Sequence, residues 1–449
     1  MKANGGLLMK VIIIGGNAAG MTAAAKLRRL DKDDEIIVYE KGTDISYSGC
    51  GMPYVLGDVV NDPKQLIART ADDFDHQDIT VNLNHEVIQV LPKEKQIIVK
   101  DKKINKTFKT SYDKLLISTG TFAKRTNVPG SKDIKVYVLN KLEDMRYLEK
   151  ALKDVNHVTI IGGGYIGVEV AENLRHQHIE VDIIQKGKHL LSIYDQDYAD
   201  KAKKVLETMG VGVHLSENLK SYEAHGKQIK ITTDKHSYVT DLVIEAIGVN
   251  PQTQFLEDID LHMLKNGAIV VNEFMETSII DIYAAGDCVA YKHLLKDDLV
   301  YVPLGTHANK SGKIAALNMK GEGERFPGII GTNIIKIGDY ALAKTCLGFE
   351  EAKDIGLDVD HVDIKAKHQT GYYPGAVDID IRFVYDKDSK IILGAQLFGK
   401  KGVSDRINIM ALAITQKMKA KDFAKLDFAY APPFSPVWDP LLIAASQIK

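Results

Sequence analysis

The sequence predicts an α/β protein in which two βαβ nucleotide folds follow one another and a third, α+β domain closes the chain. Three observations carry this. A β-branched run, Val11, Ile12, Ile13 and Ile14, leads straight into a glycine turn at residues 15–20, an Ala-rich helical segment through Leu30, and a second apolar run at residues 35–40. The same order returns at residues 158–161, a glycine turn at 162–167, a helix through about Arg175, and a strand at 181–185. The two copies lie much further apart than the periods of solenoid repeats, so this is a domain duplication. After residue 326 the pattern changes to strands at 379–384 and 391–397 around the turn Asp386, Lys387, Asp388, Ser389, then a helix from about Ser404, whose hydroxyl can cap it, to Met418.

Between the two nucleotide folds, residues 79–118 alternate strand-like stretches with polar turns, as an antiparallel insertion does. The whole is 449 residues, about three domains' worth. With 58 Lys+Arg against 60 Asp+Glu, no net basic field exists to hold DNA or RNA. The apolar runs are far shorter than the ~20 residues that cross a bilayer. The first residues, MKANGGLLMK, lack the apolar core and cleavage site of a signal peptide, so a cytoplasmic location is expected. Cys50, Cys288 and Cys346 are an odd number without CxxC spacing, and the 14 histidines include no HExxH; neither a disulfide framework nor a metal site is expected.

The second glycine turn fills G-x-G-x-x-G with Gly162, Gly164 and Gly167, which lets the backbone approach a pyrophosphate at the start of the following helix. In the first turn Asn17 replaces the middle glycine, while Gly15 and Gly20 remain and Glu40 follows 20 residues after Gly20, where a carboxylate accepts ribose hydroxyls. The counterpart of Glu40 in the second unit is Gln185, with Lys186 and Lys188 beyond it. An amide beside ammonium groups tolerates a 2′-phosphate that a carboxylate repels, so NADP(H) is expected to be accepted there, alongside NAD(H). A further apolar strand runs from about Thr277 into Gly286-Asp287, placing Asp287 at the crevice.

Together with Ser118-Thr119-Gly120 and Gly248-Val249-Asn250-Pro251, these motifs resemble the pyridine nucleotide-disulfide oxidoreductases, and the resemblance spans essentially the whole chain. It implies a two-dinucleotide flavoprotein reductase: an FAD-binding domain over 1–120 and 250–325, an NAD(P)H-binding domain over 121–249, and a dimerisation domain over 326–449, in a homodimer with a shared active site. By the same resemblance Gly15, Gly16, Ala18, Ala19, Gly20, Glu40, Lys41, Ser118, Thr119, Gly120, Gly286, Asp287 and His307 serve FAD. Gly162, Gly164, Tyr165, Ile166, Gly167, Glu169, Gln185, Lys186 and Gly248 serve NAD(P)H.

Cys50 lies between glycines in Ser46-Tyr47-Ser48-Gly49-Cys50-Gly51-Met52-Pro53, just before a helix that Pro53 opens. A helix start lowers a thiol pKa, so Cys50 is the candidate nucleophile with more thiolate at neutral pH. Dithiol relatives carry Cys-x-x-x-x-Cys or close variants, whereas the residue four before Cys50 is Ser46, so the sulfur must store oxidation as a mixed disulfide with a small thiol or as a sulfenic acid. The stretch SYSGCGMPYVLGDVV resembles the coenzyme A disulfide reductases, together with related NAD(P)H oxidases and sulfur or persulfide reductases. Peroxide-handling relatives place a histidine where Ala18 stands, which favours the mixed-disulfide branch. The resemblance further implies that Tyr372 and Tyr430 reach over the partner subunit's cysteine, that coenzyme A binds through Cys50, and that Thr22, Lys26, Arg29, Ser46, Gly49 and Trp438 contact it. The expected reaction is NAD(P)H-dependent reduction of coenzyme A disulfide, the alternatives being an oxidase that reduces dioxygen through a Cys50 sulfenic acid and a persulfide reductase.

Overall fold

A computed structural model describes residues 8–132, 135–296 and 298–449. Three five-stranded sheets organise it. The first is wholly parallel, in the order Ile282–Ala284, Lys114–Ile117, Lys10–Ile14, Glu35–Glu40, Ile79–Leu83. Its central strands are continuous apolar runs because helices cover the sheet, as parallel strands require. The helix Ala18–Leu30 packs against the helix Gly305–Met319 at small residues: a Cβ on Gly312 would meet Ala19 O at 2.2 Å. The second sheet repeats the plan in the order Val211–Leu215, Glu180–Gln185, His157–Ile161, Leu242–Glu245, Val136–Tyr137.

The duplication runs deeper than the glycine motifs. Each unit carries a three-stranded antiparallel sheet inserted between two of its parallel core strands, His85–Leu91, Gln96–Asp101 and Lys106–Ser111 in one and Leu219–His225, Gln228–Thr233 and Ser237–Thr240 in the other. The expectation of an antiparallel insertion over 79–118 is therefore too wide. Ile79–Leu83 and Lys114–Ile117 pair parallel to the first unit's core strands, and their apolar residues face that core. The strand ahead of Gly286-Asp287 is also shorter than expected, Ile282–Ala284, because Asp281 turns the chain at φ +66° and is fixed there by Lys95 and Lys114.

The third sheet is antiparallel, Asn333–Ile337, Tyr340–Cys346, Ile392–Gly399, Asp378–Asp386, Val359–Lys367, covered by the helix Val403–Thr415. Ser404 does not cap that helix. Gly402 does, in the left-handed region at φ +74°, and Ser404 lies inside the first turn.

Buried polar groups join this third sheet to the second nucleotide unit. Asp195, just before the helix Gln196–Thr208, accepts from Arg382 at 3.0 Å, Gln396 Nε2 at 2.6 Å and the backbone N–H of Phe349 at 3.1 Å. Arg382 also grips Asp197 and Asp363, each through two oxygens. Removing one partner of such a network leaves the other buried and uncompensated. Asp195→Ala is expected to lower stability by about 3 kcal/mol, read as a lower urea midpoint, whereas Lys353→Ala, which removes an exposed pair with Glu350, leaves it unchanged.

Candidate active site

The first glycine turn is shaped by backbone approaches that exclude any side chain. At Gly15, φ is +103° and a Cβ would lie 2.3 Å from Ser118 O; at Gly20 it would lie 2.0 Å from Gly15 O. Gly162 and Gly167 repeat these constraints at φ +110° against Ala246 O and at 2.1 Å from Gly162 O. Gly164, in contrast, has nothing within 4 Å of a would-be Cβ, leaving its backbone open to a ligand. At the end of the next strand Glu40 accepts from Gly16 N at 2.8 Å and Gly42 N at 2.7 Å, and Gln185 accepts from Gly163 N at 3.1 Å. The side chain expected on a ribose thus also braces its own glycine turn. Lys186 and Lys188 beyond it are exposed and have no acidic partner among the described residues.

Asp287 follows Gly286, whose left-handed φ of +87° and proximity to Ala19 Cβ suit only glycine. One of its carboxylate oxygens, Oδ1, is buried without a hydrogen-bond partner, as is the Tyr301 hydroxyl, whose pKa the Asp287 charge raises after burial itself. Burial pushes Asp287 up to about 6. Orphaned buried polar atoms ask for a partner, and a polar chain of a bound dinucleotide supplies one; the first unit fits FAD on this observation. His307 opens the helix Gly305–Met319, its Nδ1 3.2 Å from Val302 O and its ring edge-on to Tyr291. Lys41 is pushed down to about 8 by burial and by the neighbouring charge of Lys141.

Cys50 sits in a single helical turn, Gly49–Gly51, leading into the helix Met52–Leu56 with Pro53 near its start. Two backbone bonds stitch the preceding loop to the first glycine turn: Ser46 N donates to Gly16 O at 2.9 Å and Tyr47 N to Asn17 Oδ1 at 3.0 Å. Ser46 takes φ +48° to make this turn. Met52, Val55 and Leu56 then pack into the core of the second unit, against the helix Tyr165–His176, where Asn173 fills the space a Cβ on Gly57 would need. The sulfur consequently lies between the two units. Cys288 and Cys346 are buried elsewhere, leaving Cys50 as the exposed thiol.

The expected low thiol pKa does not appear. Although solvent reaches Cys50, the cleft walls desolvate its sulfur, and the charges of Glu169 and Asp287 raise it further. The helix that was to lower it has only five residues, too few for a strong dipole. Glu169, one turn after Tyr165, is itself raised to about 7 by burial and by Glu172. Tyr54, missed in the sequence, stands with them: its pKa rises to about 12 through burial and then through Glu169, Glu172 and Cys50. Its place directly after Cys-Gly-Met-Pro was the available signal. Asn17 was visible only as a departure from the glycine pattern.

Thr22 donates to Asn309 Oδ1 at 2.8 Å, while Lys26 and Arg29 on the same helix form no ion pair among the described residues. Tyr372, Tyr430 and Trp438 are far more exposed, at 76, 46 and 67 %, on the third domain. The Tyr430 phenol lies near enough to raise the Tyr372 pKa. Among the described residues no hydrogen bond or ring contact joins them to Cys50. Trp438 precedes Asp439, which is locked to Arg406 by bonds of 2.7 to 3.2 Å.

Residues 9–312 match the family described as pyridine nucleotide-disulphide oxidoreductase, and residues 333–440 match its dimerisation domain. The chain belongs to this family. Among its oxidoreductase relatives, a coenzyme A disulfide reductase of Staphylococcus epidermidis is 34% identical over 95% of this chain and 96% of its own. The reduced Bacillus anthracis CoADR-RHD superposes with a TM-score of 0.95 at 30% identity, over 98% of this chain and 80% of that one. The water-forming NADH oxidase from Lactobacillus brevis bound to NADH does so with a TM-score of 0.95 at 29% identity, over 98% of each. No described helix is long and apolar enough to cross a membrane, and no described cluster of three His, Cys, Asp or Glu side chains gathers as metal ligands.

In this oxidoreductase the buried carboxyl of Asp287 has a pH signature. Its folded pKa of about 6 stands above the ordinary 3.8, so ionisation costs stability above pH ~6 and nothing below pH ~4. In flavin-free protein Asp287→Asn is expected to raise stability by about 3 kcal/mol near pH 8 and to leave it unchanged near pH 4. Paired urea melts at the two pH values check this, and retained flavin absorbance in the variant as purified is expected to fall.

Proposed function

We propose that this flavin- and NAD(P)H-dependent oxidoreductase reduces coenzyme A disulfide, or a closely related small disulfide, through a mixed disulfide on Cys50. The observation that carries the proposal is one exposed thiol held between two dinucleotide units, with no cysteine in the loop ahead of it and the other two cysteines buried. Residues 1–120 with 250–325 hold FAD, 121–249 hold NAD(P)H, and 326–449 make the homodimer.

FAD held in the first unit would supply two-electron chemistry, relaying reducing equivalents from NAD(P)H to sulfur. The Cys50 thiolate attacks one sulfur of the disulfide; the S–S bond breaks, Cys50–S–S–CoA forms, and one CoA thiolate leaves and takes a proton. The electron pair then breaks the mixed disulfide, freeing the second CoA and restoring the Cys50 thiolate. Each turnover consumes one NAD(P)H and one proton and yields two CoA thiols. Tyr430, with Tyr372 near it, is exposed on the dimerisation domain and assists the departing thiolate of the partner subunit by hydrogen bonding. Lys26 and Arg29, free of acidic partners among the described residues, meet the phosphates of coenzyme A with Thr22, Ser46, Gly49 and Trp438 completing its cleft. Thiolate formation rests on the charge and hydrogen bonds that substrate and cofactor bring, since the protein alone holds the Cys50 pKa up.

The likeness to the NADH oxidase supports a second reading, in which dioxygen is the acceptor and Cys50 cycles through a sulfenic acid. Ala18 weighs against it, because no imidazole stands in that loop to handle peroxide.

Anaerobic assay separates the two. Sustained NADPH consumption with coenzyme A disulfide is expected, and Cys50→Ser should reduce it at least ~1,000-fold while leaving flavin reduction by NADPH intact; turnover that requires oxygen, or survives in the serine variant, overturns the proposal. Tyr430→Phe is expected to slow kcat about 10- to 100-fold with little change in the NADPH KM. At the second turn, Lys186→Glu should raise the KM for NADPH about tenfold and leave that for NADH nearly unchanged in steady-state assays.

A further inference from the structure

Tyr165, the first residue after the open backbone of Gly164, is tied to a different domain. We propose that Asn333, acting with Tyr194, is a positioning residue that holds Tyr165 in place beside the second glycine turn and thereby sets the affinity for the dinucleotide. This rests on the reading of residues 162–167 as the NAD(P)H turn.

Tyr165 and Glu169 are four apart on one helix and so share a face, and it is the face whose Glu169 charge bears on Cys50 and Tyr54. Tyr165 therefore stands on the approach to the sulfur cleft. Its phenol hydroxyl bonds Asn333 Oδ1 and lies 3.3 Å from the Tyr194 hydroxyl. Tyr194 bonds the same Oδ1 at 2.7 Å and also reaches Leu342 O at 3.2 Å, with the two rings edge to face at 6.4 Å and 70°. Both lone-pair directions of one amide oxygen are thus occupied by phenols.

Neither anchor can follow Tyr165 if it moves. Asn333 is the first residue of a third-domain strand and its amide nitrogen is fixed to Gly331 O at 2.7 Å. Tyr194 is 3 % exposed and sits in a segment gripped on both sides, by Lys344 on Ile193 O at 2.5 Å and by Arg382 and Gln396 on Asp195. A dinucleotide laid along the backbone of Gly164 meets the Tyr165 ring next, and displacing that ring breaks hydrogen bonds to two immobile groups. The observed affinity is then the intrinsic one reduced by the fraction of molecules in which Tyr165 is released. The third domain, which carries the dimer contacts, accordingly has a direct hold on nucleotide binding.

The test titrates oxidised, flavin-loaded holoenzyme with NADP+, which binds without reducing the flavin, and follows the flavin absorbance change or binding heat. Asn333→Ala is expected to lower the NADP+ Kd about fivefold, the worth of one ordinary hydrogen bond, and Tyr165→Phe to lower it similarly. Combining the two should add nothing, because both cut the same link. A Kd unmoved by Asn333→Ala, with or without a lowered melting temperature, overturns the inference, as does full additivity in the double variant. Tyr194→Phe, which keeps the ring and removes the hydroxyl, should fall between the wild type and Asn333→Ala; an unchanged Kd there removes Tyr194 from the link. Absence of NADP+ binding to the unsubstituted holoenzyme overturns the reading of the second turn itself, and this inference with it.

Discussion

Everything about the sulfur follows from how the loop ahead of it is sewn to the first glycine turn. Ser46 N on Gly16 O and Tyr47 N on Asn17 Oδ1 are two ordinary hydrogen bonds, but they set the chain's position three and four residues before Cys50. The helix after Cys50 is then buried in the core of the other nucleotide unit. One side of the cysteine is therefore registered to the first glycine turn and the other side to the helix that follows the second. A thiol carried on a free loop would sample many positions, and any chemistry at this sulfur gains from removing that freedom.

The same economy shapes the rest of the cleft. Glu40 and Gln185 stand at equivalent strand ends and each accepts from a backbone N–H of its own turn, so one side chain both shapes the turn and faces the ligand. Exchanging carboxylate for amide leaves this brace intact and changes only the charge at the strand end. A duplicated unit can in this way change its charge at one point without changing its fold.

What could be read from the chain alone was whatever local pattern dictates. The glycines at 15, 20, 162 and 167 are legible because a Cβ there collides with backbone a few residues away, and the β-branched runs before them are legible because parallel strands are buried on both faces. The limits of the antiparallel insertion and of the strand before Gly286 were misjudged because pairing partners, not propensity, decide where a short strand ends. Ser404 was a plausible cap displaced by a left-handed glycine two residues earlier. Asn17, Tyr54, Tyr194 and Asn333 take their parts only from tertiary neighbours, and nothing in their local sequence announces those neighbours. The exposed Tyr372 and Tyr430 illustrate the reverse case: resemblance singled them out, while one chain by itself gives them no target.

The thiol pKa is where sequence logic and structure part most sharply, and the reason is physical. A helix start and adjacent glycines suggest stabilised thiolate, yet two carboxylates, Glu169 and Asp287, face the same cleft and the walls exclude water. Both carboxyls are themselves held up, to about 7 and about 6, so near neutral pH Glu169 is partly protonated and its repulsion of the thiolate is correspondingly incomplete. Three acids crowded into one poorly solvated cleft cannot all ionise at once. A hydrogen-bond donor brought to the orphaned Asp287 oxygen would relieve this crowding. Charge on Cys50 is thereby coupled to the charges of its neighbours, and the cleft by itself favours the protonated thiol.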